Sequence, residues 1–218
     1  MPSLNLHLTA LEITHSRTPS QIQSLVSTLN PKICTITDYT LSPARRPRLI
    51  KPMLTYDASA IAISYLPAAG DKENVDKYTY HHLRRDVWEI TSNTSATNTA
   101  GLAARETGHS TAGPGVKVES RYVVPSAHLT IARFVTAKDT TRDRTEDGEV
   151  DLEVMKKFVE RIDEINEKLE QEYWPQGEQG DSIQDEGQWI VGEEQGLDCR
   201  WGTLWYGEGE TVRLGKGF

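Results

Sequence analysis

The sequence predicts an α+β chain built as a doubled unit, and three observations carry that prediction. Residues 123–135, Val-Val-Pro-Ser-Ala-His-Leu-Thr-Ile-Ala-Arg-Phe-Val, form an apolar, β-branched run that holds a His and a Thr two positions apart. Residues 4–13 repeat the device, with His7 and Thr9 set among Leu6, Leu8 and Leu11. The order of periodicities is strand, helix, strands, helix and then strand, helix, strands, so each repeat begins with His-x-Thr.

Strand side chains alternate between faces. Alternation through the 123–135 run places His128, Thr130 and Ala132 on one face, with Leu129, Ile131 and Arg133 on the other. It likewise places His7 and Thr9 together, opposite Leu6, Leu8 and Ala10. The chain has six His, so about one His-x-Ser/Thr match is expected by chance and short motifs need context. A third match, His109-Ser110-Thr111, lies among glycines without strand pattern and is read as a loop.

Between the two motif strands, Thr18-Pro19-Ser20 reads as a helix start, with a capping hydroxyl and Pro at the first helical position. Ile22, Leu25, Val26 and Leu29 follow at helical spacing, and Asn30-Pro31 is expected to stop the helix. Residues 33–40 alternate like a strand. Residues 42–48 form a basic, proline-punctuated loop, and residues 61–66, apolar on both faces, suit a central strand. Residues 71–91 read as a helix on Val75, Tyr78, Leu83, Val87 and Ile90.

Residues 92–115 collapse to Thr, Ser, Ala, Asn and Gly and are expected to be a dispensable, flexible insertion. After a charged loop, Met155, Phe158, Val159, Ile162, Ile165, Leu169 and Tyr173 form the apolar stripe of a strong helix. Asp151 is its candidate cap, and Pro175 lies just past its end. A flexible acidic loop over 176–187 leads to three short strands around 189–191, 199–206 and 211–214.

At 218 residues, 37% hydrophobic and 26% charged, the chain suits one bilobal domain over 1–218. No apolar run approaches the ~18 residues of a membrane span, and no secretory leader opens it, so an intracellular, cytoplasmic or nuclear location is expected. Cys34 and Cys199 are too few for a disulfide framework and lack metal spacing. The net charge is −8, but residues 139–194 carry 19 acidic and 6 basic residues, leaving the remainder at +5. Overall acidity argues against long duplex nucleic acid held by many phosphates. It leaves a small nucleotide or an RNA terminus open.

The paired His-x-Thr strands resemble the two-histidine (2H) phosphoesterase superfamily, which includes LigT-like RNA ligase and cyclic phosphodiesterase proteins. Residues 5–16, Asn-Leu-His-Leu-Thr-Ala-Leu-Glu-Ile-Thr-His-Ser, and 125–134, Pro-Ser-Ala-His-Leu-Thr-Ile-Ala-Arg-Phe, are similar to a fungal branch of it. So are 78–86, Tyr-Thr-Tyr-His-His-Leu-Arg-Arg-Asp, and 202–207, Gly-Thr-Leu-Trp-Tyr-Gly. The resemblance implies a bilobal, pseudo-two-fold fold with antiparallel sheets lining a central cleft. It also implies that a strand and helix that usually precede the first motif strand are missing here, through a late-starting gene model or a shortened variant.

Two facing imidazoles suit in-line phosphoryl transfer without a metal, because His titrates near neutrality and can give or take a proton. The resemblance implies that His7 and His128 are acid and base, in an order the residues leave open. It implies that Thr9 and Thr130 hold the phosphate. The expected activity is hydrolysis of a 2′,3′-cyclic or related phosphate on a nucleotide or RNA end, with no metal and no cofactor. RNA end-joining and a silent RNA-end-binding module are the alternatives.

Arg133 reaches the phosphate only if a bulge re-aims it, since strict parity sends it away. Tyr122, Trp201 and Trp205 suit core packing, or stacking on a base. His81 and His82 suit a non-catalytic helix surface, and His15 is left unassigned. The run of Arg45, Arg46, Arg48 and Lys51 suits a solvated loop or a guide for a polyanion.

Overall fold

The computed structural model describes residues 6–70, 76–92, 115–120, 126–145, 148–174, 187–202, 204 and 209–217. Among the described residues, three α-helices, α1 (Pro19–Thr37), α2 (Tyr80–Ser92) and α3 (Leu152–Tyr173), accompany six strands. The strands are β1 (Arg48–Tyr56), β2 (Ala60–Pro67), β3 (Ala127–Arg133), β4 (Trp189–Ile190), β5 (Asp198–Trp201) and β6 (Glu210–Leu214). One sheet runs β3-β2-β1-β4 and a second pairs β5 with β6, with β2/β3 and β5/β6 antiparallel. The α+β class is as the periodicities predict, and β2 is an inner strand. The predicted low-complexity stretches lie almost wholly outside the described residues.

The chain divides into two compact units that interleave in sequence. The first comprises Met1–Leu8, Ile50–Leu66 and Ser126–Trp189, and the second Thr9–Leu49, Pro67–Pro125 and Ile190–Phe218.

In the first unit, α3 forms where its apolar stripe and cap predict. Asp151 accepts from the backbone N–H groups of Glu153 and Val154, satisfying donors that a helix start leaves open. Ile162 is its buried centre, and Phe158 meets Tyr56 and Phe134 edge-on at 5.2 and 5.9 Å. Asn166 of the same helix donates to the Leu54 carbonyl at 3.0 Å and accepts from the Leu54 N–H at 2.6 Å. That pair of bonds stands in for a strand partner along β1, whose neighbour β4 has only two residues.

No strand is evident from sequence over 48–56. Pro52 cannot donate to a ladder, and Lys51 takes a left-handed φ of 55°. The Trp174 indole donates to the Pro52 carbonyl at 2.9 Å.

In the second unit, α1 corrects two expectations. The helix does not stop at Asn30-Pro31 but passes through Pro31 to Thr37, and residues 33–40 are helix and 3₁₀ turns rather than a strand. An internal Pro costs about 3 kcal/mol. Against that, Leu29 and Ile33, one turn apart across the proline, are both 3% exposed. They pack with Val116, Leu25, Val26, Cys199 and Val212, and burying two such side chains is worth roughly 3–6 kcal/mol. Lys32 is also buried, its ammonium donating to the Ile90 carbonyl at 3.1 Å.

The start of α1 follows the sequence. Thr18 and Gln21 form a reciprocal capping box with Pro19 behind it. Its end is clasped from far along the chain. Arg213 of β6 makes a two-pronged bond to Asp38 at 2.8 and 3.0 Å, and the Lys216 N–H adds a third at 2.9 Å. These partners, Arg213 foremost, hold the Asp38 carboxyl below the usual carboxylate range.

Candidate active site

β3 is the best-ordered frame for the predicted chemistry. His128 lies opposite Ser64 of β2, and Thr130 lies opposite Ala62. Directly opposed residues of an antiparallel pair share a face, so His128, Thr130, Ser64 and Ala62 line one surface. Between Ile61 and Ala62 the register shifts: Ile61 faces Ala132 and Ala60 faces Arg133, leaving Ile131 as the extra residue on β3. This is a β-bulge, and it overturns the simple alternation beyond Thr130. Ala60 is two residues from Ala62 and shares its face, so Arg133 returns to the surface of His128 and Thr130. Ala132 goes to the other side with Ile61.

That other side carries the larger apolar side chains. Leu129 lies opposite Ile63 and Ala127 opposite Tyr65, and Tyr65 meets Trp189 edge-on at 6.1 Å. Burial pushes the Tyr65 phenol up. The α3 contacts of Tyr56 and Phe134 are on this side, so the His128 surface is the one turned from α3.

On the His128 surface, β2 contributes the short side chains Ala60, Ala62 and Ser64, with Leu66 following at the same parity. The Ser64 hydroxyl bonds that of Thr55 on β1 at 2.7 Å. The hydroxyl of Ser126 lies 2.8 Å from His128 Nδ1. Ser126, Ser64 and Thr55 carried no role in the sequence reading. Ser126 had a readable signal, an even offset from His128, whereas Ser64 and Thr55 join the group only through strand pairing.

The first motif is held differently. Leu6 to Ile13 has no strand or helix geometry, which corrects the expected motif strand there. The Thr9 carbonyl accepts from the Tyr80 hydroxyl at 2.9 Å and from Arg84 at 3.3 Å, so side chains of α2 occupy an acceptor that a ladder would use. Tyr80 is fully buried, and its phenol, pushed up to about 12 mainly by that burial, stays a donor at any ordinary pH. Further on, the Ile13 carbonyl accepts from the Glu119 N–H at 2.8 Å, and Arg17 pairs with the Glu119 carboxylate. His7, half-buried, belongs to the same compact unit as His128; the unit boundary falls between Leu8 and Thr9.

Tyr122 and Trp205 lie outside the described residues. Trp201, on β5, lines with Val26, Val212, Gln23 and Ser27 a concavity of about 320 Å³. His82 is structural: its Nδ1 lies 3.0 Å from the Thr79 N–H and 3.1 Å from the Thr79 hydroxyl at the start of α2. The Thr79 N–H can only donate, so the bond requires an unprotonated Nδ1 and places the neutral ring's proton on Nε2.

The basic run is also engaged internally. Arg45 lies over the Tyr39 ring at 4.7 Å, and Arg46 donates to the carbonyls of Thr40 and Leu41. Arg48 pairs with Asp76, and Lys51 lies over the Trp174 ring at 5.3 Å.

Among the described residues, no three His, Cys, Asp or Glu side chains gather as metal ligands would, and no helix is long and apolar enough to cross a membrane. No protein-family profile, no curated protein and no solved structure matches this chain.

Proposed function

We propose that this chain is a cyclic phosphodiesterase of the two-histidine type, opening a 2′,3′-cyclic or related cyclic phosphate on a small nucleotide or RNA end. The observation that carries the reading is the bulge in β3. It gathers an imidazole, a hydroxyl and a guanidinium (His128, Thr130 and Arg133) on one surface beside Ala60, Ala62 and Ser64 of β2. Those are the groups an in-line attack on a phosphodiester uses: a proton carrier beside donors for the non-bridging oxygens, where charge gathers in the transition state.

In this mechanism one imidazole takes a proton from the attacking water as the new P–O bond forms. The other, as imidazolium, gives a proton to the ribose oxygen as the old P–O bond breaks. The products are a phosphate monoester and a free hydroxyl, and proton exchange with solvent resets the pair. His7 is the second carrier, with Thr9 as its hydroxyl partner. Thr130 and Arg133 hold the phosphate. The chemistry needs no metal, because both proton transfers and the charge stabilisation are assigned to side chains.

The test is turnover of 2′,3′-cyclic mononucleotides in the presence of a chelator. Hydrolysis is expected to persist and to show a bell-shaped pH dependence, since one His must be protonated and the other neutral. Activity that vanishes in chelator and returns with zinc or magnesium overturns the mechanism. Joined single strands without hydrolysis would assign the chain to end-joining instead. Tight nucleotide binding without turnover would make it a silent binder.

A further inference from the structure

We propose that Ser126 is the positioning residue for His128, accepting a hydrogen bond from its Nδ1–H and so fixing Nε2 as the nitrogen that exchanges a proton with substrate. The catalytic part of this inference rests on the reading of His128 as a proton carrier; the part concerning the ring itself does not. The Ser126 hydroxyl oxygen lies 2.8 Å from Nδ1, well inside hydrogen-bond range.

A hydroxyl can donate or accept, and the two required states of the ring decide which it does. A general base must present a lone pair at Nε2, so its single proton sits on Nδ1. A general acid is the imidazolium, which carries protons on both nitrogens. In either role Nδ1 bears hydrogen, and Ser126 is the acceptor throughout. The assignment therefore holds whichever histidine is acid and whichever is base.

The bond also fixes ring orientation. His128 is anchored in the β2 ladder opposite Ser64, so backbone pairing sets its Cα and Cβ and leaves rotation of the ring undetermined. A bond from Nδ1 to a residue two positions back removes that freedom.

The experiment uses the full chain labelled with nitrogen-15, and reads the tautomer of neutral His128 from its ring-nitrogen shifts. A neutral histidine side chain in water prefers the Nε2–H form, so a neutral His128 held mainly as Nδ1–H is the signature expected. In Ser126→Ala the ring should revert to Nε2–H. In Ser126→Thr, which keeps the oxygen, it should stay Nδ1–H. Against 2′,3′-cyclic mononucleotides, Ser126→Ala should lower kcat about 10–100-fold, the usual cost of removing an orienting partner, with KM changed less than about twofold and kcat largely restored by Thr. Ser126 is exposed, and an unchanged melting curve should accompany the loss.

The proposal is overturned if neutral His128 is Nε2–H in the wild type, if Ser126→Ala leaves the tautomer unaltered, or if it leaves kcat intact. A wild-type chain that hydrolyses no cyclic phosphate removes the functional reading alone, because the tautomer result still decides what Ser126 does to the ring.

Discussion

The two His-x-Thr stretches are nearly the same words held in opposite ways. Around His128 the backbone is a strand whose register to β2 sets which side chains share a surface. Around His7 the backbone is irregular, and the next carbonyls are taken by Tyr80, Arg84 and the Glu119 N–H. A tripeptide with strand-like neighbours is therefore not a strand until something supplies the other half of the ladder. β3 has β2. The first stretch has isolated donors, two side chains and one backbone N–H, which can fix single carbonyls but impose no alternation.

The largest effect that tests this contrast is loss of either imidazole. His128→Ala and His7→Ala are each expected to lower hydrolysis of cyclic mononucleotides by ~10²-fold or more, the contribution of a positioned acid or base. The double variant should lose less than the product of the two, because groups acting as a unit are not additive. If His7→Ala keeps near-full activity while His128→Ala does not, the contrast in support is also a contrast in use, and the paired mechanism fails.

Next in size is the bulge. Arg133→Ala should lower kcat/KM about 10–100-fold, the equivalent of losing one hydrogen bond from a charged group at roughly 1.5–3 kcal/mol. Deleting Ile131 should instead spare activity, because removing the extra residue makes Arg133 the second residue after Thr130 in a regular ladder and keeps it on the His128 surface. A deletion variant that stays folded but loses activity as Arg133→Ala does would mean that the pairing with Ala60 does not aim Arg133.

Smaller still is the tether of the first stretch. Tyr80→Phe removes the hydroxyl donated to the Thr9 carbonyl, and should cost about 1 kcal/mol, read as a lower denaturant midpoint. Because this support is local, the same change should lower activity through His7 while leaving the His128 tautomer as it was. A tautomer change would show that the two stretches are not independently held.

The smallest effect is electrostatic. The folded Asp38 carboxyl is depressed, chiefly by its bonds from Arg213. Its contribution is therefore present above the unfolded carboxylate value of about 4 and lost as pH falls through the lower folded value. The wild type should lose stability on acidification through that window more steeply than Asp38→Asn. Parallel curves would assign the clasp no pH dependence.

What could be read from the sequence follows the range of the interactions. α3, its Asp151 cap and the Thr18 capping box depend on residues within two turns of one another, and they form as written. The inner strand β2 and the three short strands after 188 are likewise marked by local apolar runs and glycines. Pro31 misled because its local cost is real, and only the distant burial of Leu29 and Ile33 against Val116 and Val212 outweighs it. β1 was hidden by Pro52 and supported by Asn166 from another element. At the site, His128 and Thr130 were legible as a pair, but the position of Arg133 was not. A bulge is a mismatch between two strands, and one strand read alone cannot display it.

The clasp between Asp38 and Arg213 joins residues 175 apart, and this sets an order on how the chain matures. The apolar stripe of α1 leaves the ribosome well before its covering partner Val212 and the arginine that fastens its end. At about 5–20 residues per second that interval is roughly 10–35 s, far longer than a helix or hairpin needs to form. The intervening Ser126–Trp189 segment, with α3 and β3, emerges within it. The second unit is thus opened before α3 and β3 are made and closed after them. A newly made chain carries this helix face without Val212 through that interval, a window in which a holding chaperone, or a second unfinished copy, finds its easiest target.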